Sequence, residues 1–206
     1  MGTRAMELLV DFIRVANHIH WVYYDAIRGF GLVRQQAEAI QRRILEKAPP
    51  HATLAQLDAQ DYIVSEGDPD DHDSWWLHKT SQGGLKKRNT EGGTNWQFVA
   101  RMCLVAIYQF WEDHYRGEIA RCCGLHQSQI ESDLMGDLRR LRGSIIHNNG
   151  IAVRDVEKCK ILRWFKPGDA TYVTPAMYVE FVKEIRSMGY RMVFERERKR
   201  RTRKSE

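Results

Sequence analysis

No apolar run in this chain approaches the ~18 residues that a membrane span needs. Asp11 and Arg14 interrupt the apolar stretch near the N-terminus, so no secretory leader is expected. Met6 stands where a myristoylation motif requires Ser or Thr. Cysteine is sparse, 4 in 206 residues. That is too few for a disulfide framework, and reduced thiols in a cytoplasmic location are the expectation. Cys122-Cys123 with His126 lacks a fourth ligand at suitable spacing, and structural zinc needs four. There is no P-loop, no dinucleotide fingerprint and no Gly-X-Ser-X-Gly elbow. The sequence thus offers no metal and no cofactor, and it argues against a membrane partner.

What remains is a chain of ordinary globular composition, 43% hydrophobic and 29% charged. The net charge is +5, but Glu195–Glu206 alone carries seven basic and three acidic residues, leaving residues 1–194 close to neutral. We expect residues 1–194 to form a single domain and residues 195–206 a basic disordered tail. Such a tail either attracts polyanions or merely keeps the chain soluble.

Apolar residues recur at three- and four-residue steps from Leu9 to Phe30, which predicts a helix. Gly29 and Gly31 suggest a bend before a second helical stretch, Leu32 to Lys47, which Pro49-Pro50 ends. A short helix is expected over residues 53–60. Residues 66–93, rich in Asp, Gly and Lys, read as a long polar loop, with Trp75 and Trp76 anchoring it to the body. A strong helix follows from a Thr94 or Asn95 cap to about Cys122, with Trp96, Val99, Cys103, Ala106, Ile107 and Phe110 facing the core. Another runs from about Gln127 to His147 and stops at Asn148-Asn149-Gly150. Ile161–Phe165 and Thr171–Thr174, joined by Lys166-Pro167-Gly168-Asp169, read as a C-terminal β-hairpin. Thr174-Pro175 opens a last helix. The fold class is therefore all-α, a bundle of about four to five main helices with a small C-terminal hairpin.

The helix ending at His147 has two distinct faces. At ~100° per residue, Leu134, Leu138, Leu141 and Ile145 form the bundle stripe. The opposite side holds Ser132, Met135, Gly136, Arg139, Arg142, Gly143, Ile146 and His147. Glycine costs about 1 kcal/mol within a helix, so two of them beside stray apolar residues indicate close approach of something else. We expect a homodimer interface made by Met135, Gly136, Arg139, Gly143 and Ile146. His147 sits in the last turn, where the helix dipole favours a protonated imidazole and a titration near neutral pH. Arg142 has a donor fork that suits phosphate. On an ideal α-helix the pair lies ~140° apart. Arg and His without a carboxylate cluster point to phosphodiester chemistry that needs no metal.

Arg142-Gly143-Ser144-Ile145-Ile146-His147-Asn148 resembles the motif of the HEPN superfamily, an Arg and a His separated by four to six residues near the end of a bundle helix. Other Arg–His pairs occur at such spacings in this chain, among them Arg14–His20 and Arg121–His126. Position on the helix, the Ile145-Ile146 spacer and the Asn-Asn-Gly stop single out Arg142–His147. Ile107–Arg116 is similar to the preceding helix of such domains, and residues 164–174 to a hairpin appended in some members. The similarity spans roughly residues 94 to 190.

The resemblance implies a dimeric all-α fold and, in ribonuclease members, metal-independent RNA cleavage by Arg and His, here Arg142 and His147. Toxin–antitoxin systems and defence are the settings it implies, with RNA and an antitoxin or other partner protein as binding partners. Asn148, Glu112, Tyr115 and Arg116 are candidate supporting residues. Glu112 and Asp113 otherwise form an ordinary salt-bridged helix face. Many active members carry a polar residue directly after the Arg, and here it is Gly143. The alternative is accordingly a non-catalytic dimeric module that binds RNA or protein.

Overall fold

A computed structural model describes residues 3–68 and 71–202, with side chains through Met188. It is an all-α fold carrying one small antiparallel hairpin. Two compact units can be distinguished along the chain, one comprising Tyr24–Phe98 and the other Met1–Tyr23 together with Val99–Glu206.

Helix α1 spans Thr3–Lys47 without a break. The bend expected at Gly29 and Gly31 does not form, because two residues each disfavoured by about 1 kcal/mol do not outweigh 45 residues of helix. Within the unit of residues 24–98, α2 (Leu54–Ala59) begins at a capping box, in which the Thr53 hydroxyl accepts from the Gln56 N–H and the Gln56 side chain accepts from the Thr53 N–H. Strands β1 (Asp61–Glu66) and β2 (Trp75–Ser81) pair antiparallel with an irregularity between Val64 and Ser65. Helix α3 (Gln82–Asn89) follows directly.

The long loop expected over residues 66–93 is therefore mostly ordered structure. Tyr62-Ile63-Val64 supplies β-branched and aromatic residues that favour a strand, and the polar connection shrinks to Gly67–Ser74. Trp75 and Trp76 are not anchors: they stand on β2, 76% and 53% exposed. Lys86 closes this unit by pairing with Asp58 at 2.6 Å and donating to Gln41 at 2.8 Å. Gly93 is required for close approach, since a Cβ there would lie 2.6 Å from the Lys87 carbonyl oxygen.

In the other unit, α4 (Thr94–Phe110), a π-helical turn (Trp111–Tyr115) and α5 (Arg116–Cys122) form one continuous rod. Thr94 is already helical and the Asn95 amide donates to Asn89, so neither caps as expected. The buried stripe is Ala100, Cys103, Leu104, Ile107, Tyr108 and Trp111, while Phe110 is half exposed. Phe12 of α1 packs against Trp111 and Tyr115, at ring separations of 5.2 and 5.3 Å. The helix expected from Gln127 starts later: Ser132 caps α6 (Asp133–Arg142), and a second π-helical turn (Gly143–His147) completes it. The Asn-Asn-Gly stop is present, with Asn149 at φ +49 and Gly150 at φ +78. Helix α7 spans Pro175–Thr202, and the Thr174 hydroxyl accepts from the Met177 N–H. Its backbone runs through most of the segment expected to be a disordered tail, because Glu, Arg and Lys are good helix formers. Residues 203–206 lie outside the described residues.

The hairpin expected at Ile161–Thr174 is absent, and Asp137 explains why. This carboxylate is fully buried in α6. It accepts from the N–H groups of Lys160 (3.0 Å), Ile161 (2.6 Å) and Leu162 (2.9 Å). Those donors are thereby lost to any β ladder. The intended partner is also engaged elsewhere: the Thr171 N–H and hydroxyl both donate to the Gly150 carbonyl, and Ile151 bridges Ala170. Hydrogen bonds to a charged group contribute about 1.5–3 kcal/mol each, and breaking a buried charge pair costs about 3–5 kcal/mol. Asp137→Ala should therefore lower stability by about 3 kcal/mol or more, and Asp137→Asn by less because one acceptor oxygen remains. Urea unfolding followed by circular dichroism checks both, and an unchanged midpoint for Asp137→Ala would refute the role assigned to this carboxylate.

Candidate functional site

The α4–α5 rod and α6 run antiparallel. Arg142 at the end of α6 lies over the Tyr108 ring, 5.9 Å from its centroid, while at the other end the Arg116 Nε donates to the Ile130 carbonyl at 3.0 Å. Each helix switches from α to π where the motif residues lie. In the first turn the Arg116 N–H reaches back to the Trp111 carbonyl, five residues away. π turns close i→i+5 and cluster at functional sites.

The second π turn changes the relation of Arg142 to His147. They are five residues apart, a separation that leaves them on different sides of an α-helix. A turn that closes over five residues swings His147 most of the way back toward the azimuth of Arg142. His147 is exposed and Arg142 half-buried. Arg142 makes no ion pair among the described residues. Between them, Ser144 is fully buried, donating to the Arg140 carbonyl and accepting from the Val153 N–H. Asn148 donates to the Ile151 carbonyl at 2.8 Å. Gly150 is held against Arg101, whose guanidinium a Cβ would strike. The loop following His147 is thus fixed by its own hydrogen bonds.

A pocket of about 280 Å³ opens between the rod and α6. Tyr108, Glu112 and Arg116 line one side, and Met135, Gly136 and Arg139 the other. Glu112 accepts twice from Arg116, both at 3.0 Å. Arg139 makes no hydrogen bond or ion pair among the described residues. Burial raises the Tyr108 hydroxyl above its usual range, with Glu112 adding to the shift and Arg139, Arg142 and Arg116 opposing it.

The expected residues therefore divide. Glu112 and Arg116 do line the pocket, with Gly136 and Arg139 opposite, while Arg142 lies over the ring of Tyr108 rather than in the lining. Tyr115 does not: it is buried, and its hydroxyl donates to Asp11 of α1 at 2.7 Å. Met135 is 3% exposed and belongs to the core and the pocket wall, so it is no stray surface residue. Ile146 is 44% exposed, and a side chain at Gly143 would meet nothing within 4 Å. Sequence reasoning missed Asp137 and Tyr108. An acid at the edge of the leucine stripe was the signal for the first, and nothing distinguished the second from a core aromatic. His126 hydrogen-bonds Ser128, and among the described residues no three His, Cys, Asp or Glu side chains converge as a metal-binding group. No described helix is long and apolar enough to cross a membrane.

Comparison of the chain with family models, with curated proteins and with solved structures finds no match.

Tyr115 gives the fold a dependence on alkaline pH. Burial and the hydrogen bond to Asp11 push its hydroxyl up to about 12. A group that holds its proton more tightly when folded stabilises the fold below its unfolded value, ~10, and loses that contribution as pH rises through the folded value. Wild type should exceed Tyr115→Phe in stability by about 1–2 kcal/mol at neutral pH, and the gap should close between pH ~10 and about 12. Urea midpoints of both proteins across that range check this. Cys159, whose thiol burial and Asp137 push up to about 12, is common to both and cancels. A gap that stays constant would show that the Tyr115 proton is not held by the fold.

Proposed function

We propose that the protein is a metal-independent endoribonuclease of HEPN type, acting in the cytoplasm as a dimer in a toxin–antitoxin or defence setting. The observation that carries this reading is the π turn after Arg142, which turns His147 back toward an arginine that has no carboxylate partner among the described residues. A guanidinium without a carboxylate partner and an exposed imidazole on the same turn are the groups that transesterification of RNA needs. The ribose 2′-oxygen attacks the adjacent phosphorus and its proton passes to a histidine. The bond to the 5′-oxygen breaks, and that oxygen takes a proton from an imidazolium. The products are a 2′,3′-cyclic phosphate and a 5′-hydroxyl. In a dimer the two copies of His147 would share the roles of base and acid. Arg142 would stabilise charge on the phosphorane-like transition state.

Two features support the dimer: Ile146 is exposed, and Gly143 leaves open space beside it. Gly143→Trp should give monomers in sedimentation, and a dimer unchanged by that substitution would remove this face as the interface.

Cleavage should survive EDTA and spare DNA. Removing one general acid–base group typically costs 10²–10⁴-fold in rate, so His147→Ala should lose that much under single-turnover conditions while still binding RNA. Arg142→Ala should lose both affinity and rate. Equal rates for wild type and His147→Ala would exclude His147 from the chemistry. Binding without cleavage of any RNA by wild type would instead favour the non-catalytic module, consistent with Gly143 occupying a position that is often polar in active members.

A further inference from the structure

We propose that the pocket between α4 and α6 is a binding site for a phosphate ester, held by the Arg139 guanidinium and the Tyr108 hydroxyl that line it, with Arg142 reaching in from over the Tyr108 ring. His147 does not line this pocket, so the proposal holds equally for a chain that binds RNA without cutting it.

Three observations carry it. The first is Tyr108, 7% exposed, which lines the pocket and whose hydroxyl makes no hydrogen bond with any described residue. The ring is buried, while the hydroxyl, which can both donate and accept, is open to a ligand in the pocket. The second is the pairing pattern of the charges around it. Arg116 is neutralised by Glu112, Lys160 by Asp133 at 2.6 Å, and Arg140 contacts the buried Asp137 at 3.4 Å. Arg139 and Arg142 are left without carboxylates among the described residues, three residues apart on one face of α6, Arg139 in the pocket lining with Tyr108 and Arg142 over the Tyr108 ring.

The third observation is the polarity of the pocket along its length. Glu131, the lining carboxylate without a partner, neighbours Ile130 at the Arg116 end, away from Tyr108. The Tyr108 end is therefore the cationic one. Two forked donors and a hydroxyl match the oxygens of a phosphate group. A volume of about 280 Å³ lies at the small end of ligand pockets, suiting a phosphate with its sugar rather than a large cofactor. Phosphate of this kind comes from a mononucleotide or from a polynucleotide, and the experiment separates the two.

The test is equilibrium titration of the full chain carrying His147→Ala, which prevents turnover, with inorganic phosphate, AMP and a short single-stranded RNA in EDTA. Saturable binding of at least one probe is expected. Adding Arg139→Gln should weaken it about tenfold or more, the loss expected for a charge-assisted hydrogen bond, and adding Tyr108→Phe about threefold to tenfold. Glu131→Gln, at the far end, should bind at least as tightly as its parent. Phenylalanine retains the buried ring, so matching urea midpoints will separate loss of the hydroxyl contact from loss of packing. Binding of phosphate and AMP would identify a mononucleotide site, and binding of RNA alone a polynucleotide contact. No saturation by any probe, or equal affinity in the Arg139→Gln and Tyr108→Phe proteins, overturns the proposal.

Discussion

The carboxylate of Asp137 is the constraint on which the C-terminal half of the molecule rests. An ionised acid in an apolar layer is tolerated only when its oxygens are saturated with donors. Here the donors are consecutive backbone N–H groups, so the same contact that neutralises the acid fixes the path of residues 160–162. Everything from the end of α6 to the start of α7 follows that path. Residues 150–152 then pair with residues 168–171, and the turn at Gly168, with φ +90, brings the chain round to Thr174 and α7. A leucine at position 137 would fill the layer and leave three N–H groups without partners.

The two π turns are the second organising feature. A π turn lacks the tight packing of an α-helix and persists only where the surroundings fix it. The surroundings of the second are visible: Ser144 is bonded to both Arg140 and Val153, and Gly150 donates to the Ser144 carbonyl. These inward contacts set how far the chain turns between Arg142 and His147. The azimuth of the exposed histidine is thus decided by a buried serine.

The helical class, the short helix after Ala52, the opening of the last helix at Thr174-Pro175 and the Asn-Asn-Gly stop were legible because each depends on local chemistry. The misplaced hairpin was not. Ile161–Phe165 has strand composition, but its donors are taken by a side chain 24 residues earlier, and no local pattern reports that. Conversely, Tyr62-Ile63-Val64 was overshadowed by the acidic, glycine-rich residues after it. Of the candidate residues, Glu112 and Arg116 lie together on the pocket wall and Arg142 over Tyr108, whereas Tyr115 and Met135 lie buried, away from the places expected for them. Tyr115 lies within the first π turn, which shifts the face it presents, and Met135 lies at the edge of the buried stripe beside the pocket. Tyr108 was hidden for the opposite reason, since a buried aromatic looks the same whether or not its hydroxyl is satisfied.

Ser144 and its neighbours also divide the motif between two kinds of selection. His147 faces outward and contributes little to packing, and Arg142 is half-buried over the Tyr108 ring, so the core fixes neither identity. Asp137, Ser144 and Gly150 face inward and answer to folding, whatever the chain does. Substitutions at the arginine and the histidine would leave the fold standing, whereas substitutions at the inward three would not. The path of the chain through residues 142–150 would therefore persist in sequences that carry other groups at the positions of the arginine and the histidine.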